Sequence, residues 1–332
     1  MSRTVDQALL MNNVQKVPYY RELWHDKRME LLFFDPVGID WEGEMIVGLQ
    51  LKGGRWRKGY FAFPQTVYNR CFPEPTHVIN ALKEVVGAKN VFNSLTHFDK
   101  WEVYQALRGS EVEQYLPPTY QYDQLSLPKI LAEHGSIILK PRLGHGGYGV
   151  TRVTLVMPNL VIIQGQGFPI PVWGEESYLP YLIAIAPPEK FIAQQYIEGG
   201  KEGSIKADVR LLMQKNKSGS WEVGGQLSRV TTASTLLTNH YQAIVPPSEV
   251  VSAKLVFDLQ SISYVVATTL DDKLATLGEL GVDFLIDETD YPWILEVNGK
   301  PDKSLFMKLG DDEMLKRVYL NPLDYQQYLL GN

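Results

Sequence analysis

The sequence predicts an α+β fold with an α/β lobe at its N-terminal end, and three observations carry that prediction. Before residue 117, segments with helical spacing alternate with short strand-like runs. From Leu127 onward, β-branched runs joined by glycine-rich turns dominate. The 27 glycines and 20 prolines suit a loop-rich chain better than a helical bundle. At about 100–200 residues per domain, 332 residues make two domains or three small ones.

Each element follows in order. Gly43 to Phe63 alternates and turns on Gly53-Gly54 and Gly59, as short strands do. Phe72-Pro73-Glu74-Pro75 breaks the pattern, and Thr76 to Val86 has helical spacing. Val91-Phe92-Asn93 reads as a short strand entering a helix from Phe98 to Leu107, with Asp99 in its first turn. Pro117-Pro118-Thr119 closes an N-terminal domain, residues 1–117. A central lobe, 118–200, starts with a short helix, Pro128 to Glu133, and the strand Ile137 to Lys140. A glycine loop, strands Val150 to Val156 and Leu160 to Ile163, and a helix from Glu175 to Ala186 follow. Phe191 to Ile197 is a strand running into the glycine-rich Glu198 to Gly203. In the C-terminal lobe, 201–332, Asp208 to Gln214 and Trp221 to Val230 form a hairpin across Lys217-Ser218-Gly219. After Pro246-Pro247 a long helix runs from about Ser248 to Leu280, then strands Val282 to Asp287 and Trp293 to Val297, and a helical tail.

Composition removes several functions. Thirty-two basic against 38 acidic residues give a net charge of −6, which argues against nucleic acid as the main partner. The single cysteine, Cys71, excludes an internal disulfide framework and multi-cysteine metal sites, and reads as a small core or near-surface residue. Met1 to Tyr20 lacks the order of a signal peptide, and no uninterrupted apolar window reaches membrane-span length. The chain therefore reads as soluble and cytoplasmic, without a membrane partner.

The sharpest local signal lies in Gly281 to Asn298. A four-residue loop, Glu288 to Tyr291, sets Asp287 opposite Pro292, Val282 opposite Val297 and Asp283 opposite Glu296. Side chains alternate along a strand, so Asp283, Glu296 and Asn298 share one sheet face. Opposed carboxylates repel. Either they lie on a solvated face, or they hold a hard divalent cation such as magnesium, for which one or two carboxylates and an amide oxygen suffice.

Gly144-His145-Gly146-Gly147-Tyr148-Gly149 fits G-x-G-x-x-G, but a strand follows rather than the helix a dinucleotide fold requires. The loop is either a flexible hairpin turn or a cradle whose backbone N–H groups fold over phosphates. Lys140, at the end of the preceding strand, supplies a point charge for the same phosphates. The kinase H-R-D and D-F-G motifs, the Walker motif and G-x-S-x-G are all absent.

Taken in order, Lys140 with its glycine loop, Gln194-Gln195-Tyr196-Ile197, Asp208-Val209-Arg210, Arg229 and Asp283…Glu296-x-Asn298 resemble the ATP-grasp superfamily, from about Val91 to Leu320. The chain is most similar to the YheC/YheD group of spore-coat-associated ATP-grasp proteins. The phrases behind that similarity are Asp208 to Lys215, Trp221-Glu222-Val223, Glu296 to Pro301 and Val67-Tyr68-Asn69-Arg70. The resemblance implies an ATP-grasp fold with the nucleotide between two antiparallel-rich sheets. It implies that Lys140, Lys100, Gly144, Gly146, Gly147 and Gly149 bind the ATP phosphates. Gln195, Tyr196 and Ile197 would bind adenine, with Glu198, Glu202 and Asp208 competing for the ribose. Asp283, Glu296 and Asn298 would hold one or two Mg²⁺ (or Mn²⁺), and Arg229 and Arg210 would stabilise the transferring phosphoryl group.

The chemistry so implied is ligation of a carboxylate to an amine through an acylphosphate, on a small molecule, a peptide or a spore-coat protein. A phosphotransferase acting on a hydroxyl, or a non-catalytic ATP-binding coat-assembly protein, are the alternatives. His25, His77, His97, His134 and His240 have no metal spacing and read as structural; His145 reads as a loop tip. Lys52 to Lys58, with Arg55 and Arg57, reads as a solvated hairpin edge. Oligomeric state is left open.

Overall fold

The computed structural model describes residues 7–10, 20, 31–52, 55–165, 167–200, 206–231 and 241–331. Gly53-Gly54, His25, Glu202 and His240 lie outside them. The described strands form three sheets.

The first sheet contains β1 (Gln7–Leu10), β2 (Leu31–Asp40), β3 (Met45–Lys52), β4 (Arg55–Ala62), β5 (Thr66–Asn69) and β6 (Val91–Phe92), in the order β4-β3-β2-β1-β5-β6. Its β2-β1-β5-β6 half is parallel. Leu31-Leu32-Phe33-Phe34 is wholly buried, as a strand covered on both faces must be. One face takes α1 (Thr76–Val86), through Val78, Ile79 and Leu82. The other takes Leu323 and Tyr325 of α6 (Asp312–Gly331), the last helix. Gly59 is not a turn: it sits within β4 opposite Gly48. Cys71 is buried in this core.

The second sheet contains β7 (Thr119–Tyr120), β8 (Ser136–Pro141), β9 (Thr151–Met157), β10 (Leu160–Gln164), β11 (Ile170–Trp173) and β12 (Phe191–Gln195), ordered β11-β10-β9-β8-β12-β7 and antiparallel throughout. Ile137, Leu139 and Ala193 pack against α3 (Leu127–His134) and α4 (Glu175–Ile185). Period two therefore turns Ile138, Lys140 and Gln194 to the opposite face. The short β11, flanked by Gly167 and Gly174, has no expectation in the sequence.

The third sheet contains β13 (Lys206–Lys215), β14 (Trp221–Thr231), β15 (Ala243–Val245), β16 (Glu279–Ile286) and β17 (Pro292–Asn298), ordered β15-β14-β13-β16-β17 and antiparallel. Val209, Leu211, Val282 and Phe284 point into a core shared with α2 (Lys100–Leu107) and α5 (Ala253–Lys273). Asp208, Arg210 and Asp283 alternate onto the other face.

The long helix expected from Ser248 to Leu280 is instead a 3₁₀ turn, Pro247–Glu249, followed by α5, which ends at Lys273. Ser252 caps α5 by accepting from Leu255 N at 3.2 Å. Glu279 and Leu280 already belong to β16, where Leu280, Val282, Phe284 and Ile286 recur with period two. No helix among the described residues is long and apolar enough to cross a membrane.

Candidate nucleotide and metal site

The second and third sheets face each other across a cleft lined by Lys100, Lys140, Gly144, Gly147, Gln195, Tyr196, Ile197, Arg229, Asp283 and Glu296. Ten of the residues singled out in the sequence thus meet in one place.

The glycine loop joins β8 to β9. Gly146, Gly147 and Gly149 have φ of 65°, 74° and 75°, a region that side chains rarely tolerate. A Cβ on Gly149 would also lie 3.0 Å from Pro141. Gly144 and Gly147 line the cleft, while Gly146 and Gly149 shape the loop behind them. The loop's base is fixed to α2. Asp99 caps that helix by accepting from Trp101 N (2.8 Å) and pairs with Arg142 (2.8 Å), and Lys100 N donates to Arg142 O (3.0 Å). Lys100 Nζ then reaches Gly144 O at 3.0 Å and Glu296 Oε1 at 3.1 Å.

Lys140 is buried. Its ammonium donates to Gln194 Oε1 (2.8 Å) and, across the cleft, to Leu295 O (3.3 Å). Burial, reinforced by the charge of Lys100, lowers its pKa to about 8. Gln194 is in turn held by Thr119 Oγ1 at 2.8 Å. The role of Gln194 is missed from the sequence, although it stands within the hinge motif.

At the hinge, Gln195 N donates to Pro118 O (2.8 Å) and Tyr196 N to Ser136 O (3.0 Å). Those two N–H groups are spent on the scaffold, which leaves Ile197 as the hinge N–H without a backbone partner among the described residues. The Arg152 guanidinium lies 3.6 Å from the Tyr196 ring centroid and covers one face of it. Burial raises the Tyr196 phenol to about 12. Arg152 is a second residue missed from the sequence; its signal is a lone cation inside a strand-like run.

On the third sheet, Asp283 pairs with Glu296 and Val282 with Val297, as the sequence predicts. The route differs. The loop has five residues, 287–291, so Ile286 rather than Asp287 faces Pro292. A bulge at Leu295 absorbs the difference. It also lets Ile294 and Val297, three apart, enter the same core, and it exposes the carbonyl that Lys140 binds.

Asp283 accepts from Arg210 Nε and Nη2, each at 2.6 Å, and from Arg229 Nη2 at 3.1 Å. Burial would raise its carboxyl, but the two guanidiniums hold it below the ordinary value. Asp208 is wholly buried and pairs with Arg229 through Nε (2.9 Å) and Nη2. Asp208 and Arg210 therefore stand behind the cleft wall rather than in it, orienting Arg229 and Asp283. Of the other ribose candidates, Glu198 is described and exposed beside Arg152, 3.9 Å away.

Asp283, Glu296 and Asn298 fit a hard divalent cation. All their donors are oxygens. Asp283 Oδ1 accepts one bond from Arg210 and keeps a lone pair; Glu296 engages Lys100 through one oxygen; Asn298 turns its nitrogen to Asp283 Oδ2 at 3.4 Å, which leaves its oxygen outward. Among the described residues no three His, Cys, Asp or Glu cluster elsewhere as a rival site. His134 is structural, bonded to Tyr120 OH at 2.9 Å. His145 is exposed in the loop, as the sequence suggests, with its ring roughly perpendicular to that of Phe72 at 5.3 Å.

Comparison with known proteins bears on the family and the fold. A family model described as YheC/D-like ATP-grasp matches residues 88–329. The endospore coat-associated protein YheC of Bacillus subtilis (strain 168) is 26% identical over 301 residues, covering 83% of this chain and 81% of its own. Among solved structures, D-alanyl-alanine synthetase A from Vibrio cholerae aligns with a TM-score of 0.55 at 13% identity, covering 99% of this chain and 97% of that one. The ATP-grasp ligase PsnB, in complex with a phosphomimetic variant of its minimal precursor, Mg and ADP, aligns with a TM-score of 0.56 at 14% identity, covering 97% and 100%.

Proposed function

This chain belongs to the YheC/D-like ATP-grasp family, and on that footing we propose that it is an ATP- and Mg²⁺-dependent ligase joining a carboxylate to an amine. The observation that supports the reading is the convergence, on one cleft, of Lys100, Lys140, the glycine loop and Arg229 with the oxygen donors Asp283 and Glu296, Asn298 standing beside Asp283 at the cleft's edge. ATP would lie between the second and third sheets, its ring at Ile197 and its phosphates under Gly144 and Gly147. Asp283, Glu296 and Asn298 would hold magnesium, whose chemistry when bound is to neutralise charge on the phosphate oxygens.

The residues themselves position and screen. Lys140 and Lys100 would both bring positive charge to the phosphates at the start of the loop. Arg229 reaches the cleft with one edge while Asp208 fixes the other, so little reorganisation is needed as charge develops. A substrate carboxylate oxygen then attacks the γ-phosphorus, and the bond to the β–γ bridging oxygen breaks, releasing ADP. The amine nitrogen attacks the acyl carbon of the resulting acylphosphate, phosphate departs, and the nitrogen gives up one proton. The acceptor would be a peptide or a spore-coat protein, in keeping with the coat association of YheC.

The test is acid-dependent ADP release across a panel of acids, peptides and coat proteins, with and without an amine. Hydroxylamine should convert the intermediate to a hydroxamate. Turnover that yields a stable phosphate ester and no hydroxamate would make the protein a phosphotransferase, and ATP binding without ADP release would make it an assembly component.

A further inference from the structure

A second cavity, of about 370 Å³, shares Gly144, His145 and Glu296 with the nucleotide cleft and extends to Arg70, His97 and Lys300. Its polar groups are not equally engaged. Arg70 Nη1 is committed to Glu279 Oε1 (2.7 Å) and Tyr68 OH (3.0 Å). Asp302 caps the following turn, accepting from Ser304 N (2.9 Å) and Ser304 Oγ (2.7 Å). Lys300 is different. It is half-buried, its ammonium lies 5.9 Å from the Phe72 ring centroid, and it makes no hydrogen bond or ion pair among the described residues. A cation partly withdrawn from water without an acceptor is costly unless an anion completes it. His97 lines the same cavity, but its Nε2 is covered by protein and does not face it.

Position adds a second constraint. Lys300 follows Asn298 by two residues, at most about 7 Å of extended chain beyond the metal donors. A ligand that presents one carboxylate to the phosphates and also reaches Lys300 carries two anionic groups on a short spacer.

We propose that this cavity is the acid-substrate site and that its substrate is a dicarboxylate, with one carboxylate facing the phosphates and the other held by Lys300. This rests on the ligase reading and deepens it. A free dicarboxylic acid and a peptide ending in an acidic residue share that chemistry.

Titration calorimetry on the full chain separates them, with glutarate, the tripeptide Ala-Ala-Glu and butyrate as probes, each with and without Mg·ADP. Glutarate or the tripeptide should bind about tenfold or more tighter than butyrate, and the better of the two names the source. Lys300→Ala should remove that advantage, Lys300→Arg should keep it, and Mg·ADP affinity should stay within about twofold in both. Lys300→Met, which keeps the stem on Phe72, guards against a packing effect and should behave as Lys300→Ala. Dicarboxylates binding no better than butyrate, or binding equally well to Lys300→Ala, would overturn the proposal. Failure of Mg·ADP to bind wild type would instead remove the ATP reading, while the titrations without nucleotide still decide the cavity.

Discussion

At the scale of single residues, Lys140 and Asp283 illustrate opposite uses of a buried charge. Burial and the neighbouring Lys100 bring Lys140 down to about 8, from 10.5. A bound phosphate would favour the charged form, so nucleotide binding above pH 8 should take up a proton, and affinity should fall between about pH 8 and 10. Calorimetry at pH 8.5 in two buffers of different ionisation enthalpy reads that uptake; identical heats would remove Lys140 from the phosphate site. Without ligand the sign is opposite. The unfolded chain holds the extra proton between about pH 8 and 10.5, so this group's contribution to stability rises across that window. Asp283 is buried between Arg210 and Arg229, and its removal leaves two guanidiniums facing each other. Asp283→Ala should cost about 3–5 kcal/mol, a fall of roughly 5 °C in Tm. Glu296 is more exposed and its carboxylate pairs with Lys100 alone among the described residues, at 3.1 Å, so less of the fold rests on it. Glu296→Gln should therefore leave Tm within a degree or two while losing stabilisation by Mg·ATP, which in wild type reaches about 2.7 kcal/mol at 100 times Kd. Thermal denaturation with and without Mg·ATP distinguishes the two roles. The pairing of Asp208 with Arg229 was not legible in the sequence, because it joins facing strands whose register only the folded sheet defines.

At the scale of elements, the junction of β6 with β16 rests on Asn93. It adopts φ of 50°; its amide nitrogen donates to Glu279 O (2.8 Å) and Gly299 O (3.0 Å), and its oxygen accepts from Gly278 N (2.8 Å) and Glu279 N (3.0 Å). Asn93→Ala would strand four backbone groups and should cost about 3 kcal/mol or more, read as a lowered denaturation midpoint. Why some elements were legible and others not follows from what periodicity encodes. The Thr76–Val86 helix and the β8–β9 hairpin announce themselves through spacing and bounding prolines or glycines. The start of β16 does not, since Leu270, Leu274 and Leu277 continue a helical spacing while the strand's own first residue is a buried Glu279. That carboxylate is explained by groups distant in the chain, Arg70 (2.7 Å), Lys303 (2.5 Å), Tyr68 OH (2.7 Å) and Gln214 Nε2 (2.5 Å). The pairing of Asp283 with Glu296 was legible for a weaker reason: the short loop expected and the unforeseen bulge at Leu295 offset each other.

At the scale of the whole molecule, α6 spans two cores. Met314, Leu315 and Val318 pack with Leu212 and Phe306 under the third sheet, and Leu323 and Tyr325 pack with Leu9, Phe33 and Phe92 under the first. Gln326 extends the second contact by donating to Ala8 O (3.1 Å) and Thr66 Oγ1 (3.2 Å). Leu323 is fully buried, so Leu323→Ala should destabilise by about 2–5 kcal/mol, and chemical denaturation should show the loss. The clamp also has a meaning in time. The first sheet is made early in synthesis, yet one of its faces waits for residues 312–331. Until those residues leave the ribosome, that face stays wet and open to wrong partners, and the nascent chain depends on chaperone cover or on speed.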